Sequence, residues 1–305
     1  MKKIPITKMD WDWVAIKALM TRLDKANVVY KWLNCSNKDV ITTLDNNKNP
    51  VHQYKYIKPY ESEEQAQTFR HANKVVKTLE SFWNNGLHEN KKLMDTLINN
   101  RLFAERTYDF NLPKLELNDY FVQTNVKSLD FNNAYAKVLF NHRLINRDMY
   151  EMMVRLPKPV RLVTLGMLAK SYVEHTCNDY DLINDDEVKL WRYSNYANLY
   201  FFAVQKTTEV MQTISNILGD DLLFWWVDGC YMKSSTTKKK IDEIVATITT
   251  RLPSQRFDYK WEDVPYLRYE KEASGEQFLF LQKRNSKTGK LEDKEYTFSS
   301  SWEKN

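Results

Sequence analysis

Two aspartates at the ends of short apolar segments are the residues of this sequence best suited to chemistry. Asp130 lies in VKSLDFNNAYAKVLF (126–140) and Asp228 lies in LLFWWVDGCYMK (222–233), and each segment predicts a short strand. A carboxylate among apolar residues is costly to bury unless a proton, a cationic partner or a metal compensates its charge. If the two strands are neighbours, the aspartates form a carboxylate pair suited to a hard divalent cation.

The segments that must position these aspartates predict an α+β fold. A helix is expected to begin at Ala134, and apolar residues repeat at helical spacing over about 160–175, 203–218 and 241–252. Two further apolar strands are expected near 265–272 and 277–282. This order is compatible with an antiparallel sheet that carries helices on one face.

Residues 1–120 are predicted to form a mostly helical region without a catalytic motif. Apolar spacing, a capping signal at Ser62 and a stop at Gly86 define its longest helix. One strand is expected near 28–32, and DNNKNP (45–50) is expected to be a loop.

Composition indicates a packed globular protein with one large domain or two of ordinary size. The 305 residues are 43% hydrophobic and carry a net charge of +5, which permits contacts with phosphates. Three widely spaced cysteines favour free thiols in a reducing compartment. No apolar run approaches the ~20 residues of a membrane span, and the first residues lack a signal-peptide core. We therefore expect a cytoplasmic protein without membrane contact.

Two segments resemble catalytic motifs of family B DNA polymerases. Asp130, followed five residues later by Tyr135, resembles motif A, an Asp-Phe/Leu-x-Ser-Leu-Tyr run. The segment FWWVDG (224–229) resembles motif C, usually Tyr-Gly-Asp-Thr-Asp-Ser. In this match Trp226 replaces the first aspartate of the family pair, and Asp228 takes the second position, which binds metal in the family.

A third resemblance lies near the C-terminus. LRYEKE (267–272) and FLFLQKRN (278–285) resemble the strands that close the palm in that family and its Lys-Lys-Arg-Tyr motif, with Asn285 in place of the tyrosine. Between motifs A and C, RLVTLGMLAKSYVEH (161–175) lies where motif B would be, and Arg161 replaces its leading lysine.

The resemblance implies a minimal polymerase in three parts. These are a mostly helical accessory region (1–120), a palm (121–290) with short fingers (about 141–175), and a C-terminal tail (291–305). No room remains for the family's exonuclease domain or a full thumb, which implies low processivity or dependence on a replication partner. Compact replication proteins of this kind suggest a virus or mobile element by analogy.

The resemblance also implies a role for each matched residue. Asp130, Asp228 and the backbone carbonyl of Phe131 would bind two Mg²⁺ or Mn²⁺ ions, with Glu270 nearby as a lesser acid. Tyr135 would lie under the sugar of an incoming deoxynucleotide and exclude a 2′-hydroxyl. The remaining basic residues would contact phosphates of the dNTP (Lys158, Arg161 and Lys170) or of the primer on its template (Lys283 and Arg284).

Other interpretations stay open at this point. Asp130 could cap the helix that follows it, and Asp228 could be an ordinary turn residue. Reverse transcriptases share the Asp-x4-aromatic and aromatic-x-Asp patterns, although the segments of Glu270 and Lys283 favour family B. A primase-like enzyme is compatible with the missing thumb. A catalytically silent palm that binds nucleic acid or supports assembly is compatible with the missing motif C acid.

Overall fold

The computed structural model describes residues 4–35, 38–99, 120–169, 171–177, 190–251, 256–273, 277–285 and 288–298. These residues form an α+β protein with two six-stranded sheets, which confirms the fold class expected from the sequence. The chain divides into two compact units. Unit 1 consists of Met1–Phe82 and Leu156–Asn198, and unit 2 consists of Trp83–Arg155 and Leu199–Asn305. Each unit is therefore assembled from two separate stretches of chain, whereas the sequence suggested a boundary near residue 120.

The described residues contain eight helices and twelve strands. The helices are α1 (Trp13–Lys25), α2 (Glu63–Asn84), α3 (Lys91–Asn99), α4 (Ala134–Asn141), α5 (Arg147–Arg155), α6 (Lys158–Leu168), α7 (Ala197–Leu218) and α8 (Lys238–Arg251). The strands are β1 (Ile6–Asp10), β2 (Tyr30–Cys35), β3 (Lys38–Leu44), β4 (Pro50–Ile57), β5 (Tyr120–Phe131), β6 (Ser171–Cys177), β7 (Leu190–Tyr193), β8 (Leu222–Trp226), β9 (Gly229–Met232), β10 (Tyr259–Lys271), β11 (Gln277–Arg284) and β12 (Leu291–Phe298). Across these described ranges, no helix combines the length and the apolar character needed to cross a bilayer.

Unit 1 is built on a mixed sheet with strand order β1-β4-β3-β2-β6-β7, in which β1 runs parallel to β4. Helix α1 begins after Asp12, whose side-chain Oδ1 accepts a hydrogen bond from the Val14 amide at 2.9 Å. This N-cap satisfies an amide that has no partner inside the helix. The apolar side of α1 packs on the sheet, and the buried residues of the cluster are Ile16, Leu19, Leu23, Tyr30, Ile41 and Tyr56.

Unit 2 is built on a sheet with strand order β12-β11-β10-β5-β9-β8, in which all neighbours are antiparallel. Its two longest strands, β5 and β10, pair from Tyr120 opposite Glu270 to Phe131 opposite Tyr259. The strands expected around the two aspartates and near the C-terminus are present in this sheet. Strand β12 lies in the range 291–305, which the sequence suggested as a tail.

The two faces of the unit 2 sheet are buried in different ways. On one face, helices α7 and α8 pack near the end of β5, where a small void is surrounded by Phe131, Val210, Val245, Ile248 and Phe257. On the other face, the strands bury their own side chains in a cluster formed by Val126, Phe224, Tyr231, Val264, Leu267, Tyr269, Leu279 and Leu281. Side chains alternate along a strand. Phe131 therefore points to the face covered by α7 and α8, and Asp130 points to the opposite face.

Candidate functional site

The candidate site lies in unit 2, where the end of β5 meets the β8–β9 hairpin. Strands β5 and β9 are antiparallel neighbours, with Asp130 directly opposite Gly229. Asp228 precedes Gly229, and its carbonyl oxygen accepts a hydrogen bond from the Phe131 amide at 2.9 Å. Ordinary strand geometry then puts the Cα atoms of Asp130 and Asp228 about 6–7 Å apart. Two acids that are almost a hundred positions apart in the sequence are therefore neighbours in the sheet.

Asp228 belongs to a strained two-residue turn. Trp226 pairs with Gly229, so Val227 and Asp228 form the whole loop between β8 and β9. Val227 has φ +55° and is 40% exposed. Short hairpin turns require positive φ, which costs a residue other than glycine about 1–2 kcal/mol and is least suited to a β-branched side chain. This strain lies directly beside the aspartate.

Gly229 leaves space for the Asp130 carboxylate. A β-carbon at Gly229 would lie 3.3 Å from Asp130 Oδ1 and 3.2 Å from the carbonyl oxygen of Leu129. Both distances are shorter than optimal non-bonded contacts. The carboxylate of Asp130 therefore lies against the backbone of the hairpin that carries Asp228.

Further polar groups share a sheet face with Asp130, and we call this the site face. It is defined by Ser128, Asp130, Tyr231, Glu262 and Lys283. Ser128 lies opposite both Tyr231 and Glu262 and two residues before Asp130, so all four side chains point to one side. Lys283 Nζ lies 3.6 Å from a carboxylate oxygen of Glu262 and 5.4 Å from the centroid of the Tyr231 ring. Ser128 Oγ is buried and makes no hydrogen bond within the described residues.

The charge of Asp130 acts on buried groups around it. Burial chiefly, and the charge of Asp130 to a smaller extent, raise the pKa of the Cys230 thiol to about 12. Burial first, and Asp130 among the nearby groups, also raise the pKa of Tyr231 and of Tyr296. These three side chains therefore stay neutral near pH 7 and do not offset the negative charge of Asp130.

Tyr135 lies in the first turn of α4 and close to Asp228. Burial raises the pKa of its hydroxyl, and the neighbouring Tyr200 and the charge of Asp228 raise it further, so the hydroxyl stays protonated. The rings of Tyr135 and Tyr200 meet edge to face, with centroids 5.7 Å apart and planes at 80°. The chain turns sharply between β5 and α4 at Asn133, which has φ +55°. This turn explains how a five-residue spacing brings Tyr135 back toward the hairpin.

The position of Glu270 corrects the expected metal site. Glu270 lies on β10 ten residues beyond Lys260, which is paired with Asp130. At the usual rise of a strand this separation is about 30 Å, so Glu270 cannot share an ion with Asp130. Glu262, two residues from Lys260, is the nearest acid of β10 on the site face.

Two smaller expectations are also corrected. Arg284 follows Lys283 in β11, so alternation puts it on the opposite face. Its Nη1 donates a hydrogen bond to the Gly289 carbonyl at 2.6 Å, where it supports the β11–β12 turn.

Asp130 is not the cap of the following helix, because Asn133 is the N-cap residue of α4. A capping role therefore does not explain the carboxylate of Asp130.

The basic residues expected to hold a triphosphate belong to unit 1. Lys158 and Arg161 lie in the first turns of α6, which begins after Pro157, and the Arg161 amide donates to the Pro157 carbonyl at 3.0 Å. Lys170 lies outside the described residues. The nucleotide-binding role of these three residues stays a prediction.

The donor set of the site fits hydrated hard cations. Asp130 and Asp228 offer carboxylate oxygens at neighbouring backbone positions, and oxygen ligands are those that Mg²⁺ and Mn²⁺ take. Within the ranges that the structure describes, no group of three or more His, Cys, Asp or Glu side chains is arranged to hold a metal. Mg²⁺ commonly keeps several waters and needs only one or two carboxylates. The site therefore fits a hydrated ion better than a closed protein cage.

Three residues of the site were not expected from the sequence. Ser128 could have been found from strand alternation, because it lies two residues before Asp130. Glu262 could be found only with the β5–β10 register. Tyr200 carries no local signal, because its contact with Tyr135 joins α7 to α4.

No known protein-family model matches this sequence, and no curated protein matches it. The fold and the site together define an α+β protein in which two aspartates occupy neighbouring backbone positions at a sheet hairpin.

Proposed function

We propose that this protein is a template-directed nucleotidyltransferase, a minimal family B-like DNA polymerase that extends a 3′-hydroxyl with deoxynucleotides. The observation that carries the proposal is the register of β5 and β9, which makes Asp130 and Asp228 neighbours. A carboxylate pair at the end of one strand and the tip of the adjacent hairpin is the arrangement implied by motifs A and C.

In this proposal the two aspartates hold and orient the reacting groups. Asp130 and Asp228 would bind one or two Mg²⁺ ions, with the backbone carbonyl of Phe131 as a further oxygen ligand. Such ions, when bound, lower the pKa of a 3′-hydroxyl and neutralise the charge of a triphosphate. The short turn restricts the backbone of Asp228. The missing side chain of Gly229 leaves room for the Asp130 carboxylate beside the hairpin.

Tyr135 and Lys283 would act on the substrates. Tyr135 is half-buried beside Asp228, and its neutral ring would form the floor under the sugar. Lys283 lies on the site face with its ammonium 3.6 Å from Glu262. In this proposal its ammonium exchanges Glu262 for a phosphate of the primer, since the two groups are half-buried and 3.6 Å apart rather than in a short, fully buried pair.

The test is primer extension with matched isosteric variants. The wild-type protein with Mg²⁺ or Mn²⁺ is offered labelled dNTPs or NTPs on primed DNA, primed RNA and unprimed strands. We expect extension of primed DNA and a loss of at least about 100-fold in Asp130→Asn and Asp228→Asn. Asp263→Asn is the control, because Asp263 is exposed and pairs with Lys127 on the other face of the sheet.

The substrate arms separate related enzymes. Extension on primed RNA would instead identify a reverse-transcriptase-like polymerase, and synthesis on unprimed strands would identify a primase-like one. A folded wild-type protein that incorporates nothing on any substrate would contradict the whole enzyme proposal.

A catalytically silent palm is the second candidate. It is favoured by one observation, namely that the described residues contain no group of three metal donors. Trp226 also stands where the family has an acid. A silent palm would bind nucleic acid and be indifferent to divalent metal. Mn²⁺ titration followed by electron paramagnetic resonance separates the candidates, because the enzyme should bind Mn²⁺ and lose it in Asp228→Asn.

A further inference from the structure

A group of tryptophans on strand β2 of unit 1 and in the residues after β1 is held in place by one buried carboxylate, that of Asp39. Asp39 is 1% exposed, and its two oxygens accept hydrogen bonds from Nε1 of Trp11 at 2.5 Å and from Nε1 of Trp32 at 3.2 Å. Lys58 Nζ lies 3.6 Å from the same carboxylate. The polar atoms of both indoles are therefore turned inward, toward a charge that they and Lys58 compensate.

The apolar rings of Trp11 and Trp13 in this group are partly exposed to solvent. Trp11 and Trp13 are 37% and 38% exposed, and Val14 is 74% exposed. The ring of Trp13 lies 5.9 Å from that of Trp32 at an angle of 36°, so Trp13 is tied to the pair held by Asp39. Single exposed apolar side chains are ordinary, but adjacent indole rings held in fixed positions form a preorganised surface for a flat ligand.

Cations accompany both exposed rings. Lys58 Nζ lies 5.5 Å from the centroid of the Trp11 ring, and Lys17 Nζ lies 5.2 Å from the centroid of the Trp13 ring. Aromatic rings interleaved with lysines are the combination that binds single-stranded nucleic acid, because bases stack on the rings and phosphates pair with the cations. Stacking of a base is stronger than an exposed lysine–indole contact, so a base on Trp13 can displace the ammonium of Lys17 and release it to a phosphate. Lys58 stays paired with Asp39 and supplies a fixed positive charge.

The acids near these tryptophans repel the phosphates of such a ligand only weakly. The carboxylate of Asp39 is buried and engaged by two indoles and a lysine. Asp12 caps α1 through the Val14 amide. Asp10, at the end of β1, and Asp12 are both exposed. A neutral carbohydrate would stack on the rings as well, but the indole N–H of Trp11 that could orient its hydroxyls is already donated to Asp39.

We propose that Trp11 and Trp13, together with Lys17 and Lys58, form a binding site for single-stranded nucleic acid in unit 1. The site is carried by unit 1 residues alone and does not depend on the proposed catalysis. It offers two stacking positions and two cations, which suits a short unpaired segment rather than a duplex, whose bases are not available for stacking.

The test is binding of labelled dT12 to the full chain, followed by fluorescence anisotropy. We expect Trp13→Ala to weaken the affinity about tenfold and Trp13→Phe, which retains a ring, to lose less. Lys17→Gln should reduce the slope of log affinity against log salt by roughly 0.7, the value for one phosphate contact on a single strand. Asp263→Asn is the control in unit 2, because Asp263 is exposed and pairs with Lys127 away from the site face, and it should bind dT12 like the wild type.

The same titrations contain the outcomes that would overturn the proposal. Thermal melting first establishes that each variant is folded. A folded Trp13→Ala that binds dT12 like the wild type rejects the site, as does a wild-type protein that does not bind dT12. A strand of abasic residues that binds as tightly as dT12 rejects base stacking. A loss of binding in Lys283→Gln but not in Trp13→Ala assigns the single strand to unit 2 instead. Failure of primer extension with retained dT12 binding contradicts only the proposed catalysis.

Discussion

Asp130 Oδ1 lies 3.3 Å from the position that a β-carbon on Gly229 would occupy. The contact joins the end of β5 to the hairpin that carries Asp228, and it gives a steric reason for a glycine directly after Asp228. Gly229 is not among the residues with positive φ, so the requirement for glycine is steric rather than conformational. A larger side chain would compete with the carboxylate for the same space.

The first prediction concerns this space. We expect Gly229→Ala to weaken Mn²⁺ binding and primer extension by about tenfold or more, because small misplacements of a reacting constellation are costly. The free energy of unfolding should change by less than about 1 kcal/mol, since the neighbours need to move only slightly. Mn²⁺ titration, extension rates and urea unfolding measure the three quantities.

Gly166→Ala is the matched control for that experiment. A β-carbon at Gly166 in α6 would meet no atom within 4 Å, and replacing glycine by alanine inside a helix stabilises it by about 0.5–1 kcal/mol. Mn²⁺ affinity should not change in this variant. Wild-type Mn²⁺ affinity in a folded Gly229→Ala protein would show that the Asp130 carboxylate does not contribute to an ion site.

The second prediction concerns the choice of sugar. If Tyr135 forms the floor under the incoming sugar, Tyr135→Ala should lower the ratio of kcat/KM for dNTP over NTP by at least about tenfold, because the ring no longer excludes a 2′-hydroxyl. Tyr135→Phe keeps the ring and its contact with Tyr200 and should retain the ratio. An unchanged ratio in Tyr135→Ala, with measurable extension, would remove Tyr135 from this role.

The sequence predicted the unit 2 sheet well because its strands are apolar. Short apolar runs bounded by turns mark buried strands, and those around Asp130, Asp228 and Leu279 have this pattern. The sequence also predicted that a carboxylate would end two of them. It could not give the partner of each strand, so Glu270 was assigned to a site that the β5–β10 register puts at the other end of the pair.

The unit 1 sheet was mostly missed for a different reason. Strand β1 is largely exposed and β4 is half-buried over most of its length, and their mixed polar and apolar residues give no clear apolar alternation. Strand β1 is stabilised by parallel pairing with β4, and β4 also pairs with β3. Strand β6 comes from a remote stretch, with Cys177 opposite Tyr30. Such pairings between distant segments leave no local signal in one sequence.

The third prediction uses the pair formed by Lys283 and Glu262. Lys283→Gln should weaken binding of primed DNA and reduce the slope of log affinity against log salt by roughly one, the value for one phosphate contact. Glu262→Gln removes the charge that competes for the same ammonium, so binding should become tighter and more dependent on salt. Anisotropy titrations at several salt concentrations measure both slopes. Changes of the same sign in the two variants would contradict a shared ammonium.

The fourth prediction concerns the turn between β8 and β9. Val227 has φ +55°, so Val227→Gly should remove the steric cost and raise the free energy of unfolding by about 1 kcal/mol. Val14→Gly is the control, because Val14 is exposed within a helix and its replacement should destabilise by roughly 0.3–0.5 kcal/mol. Urea unfolding curves report both changes. A destabilised Val227→Gly protein would mean that the side chain contributes more than its backbone conformation costs.

The fifth prediction is a pH dependence that depends on His142. Burial chiefly, and then the charge of Lys206, lower the pKa of His142, while Glu209 opposes them. The His142 ring meets Phe202 edge to face at 4.8 Å, and its buried Nε2 has no hydrogen-bond partner among the described residues. Because the unfolded chain takes up the proton first, the neutral ring contributes its full stability above the unfolded pKa of about 6.5. That contribution is lost as pH falls from there toward the lower folded value.

The melting temperature of the wild type should therefore decline between pH 7.5 and pH 5.5 more steeply than that of His142→Asn. His71→Asn is the matched control, because His71 is exposed on α2 and its replacement removes an imidazole without changing a buried one. Its melting temperature should follow the wild type across the range. If His142→Asn and the wild type decline in parallel, the acid sensitivity arises from other groups and the buried imidazole does not contribute to it.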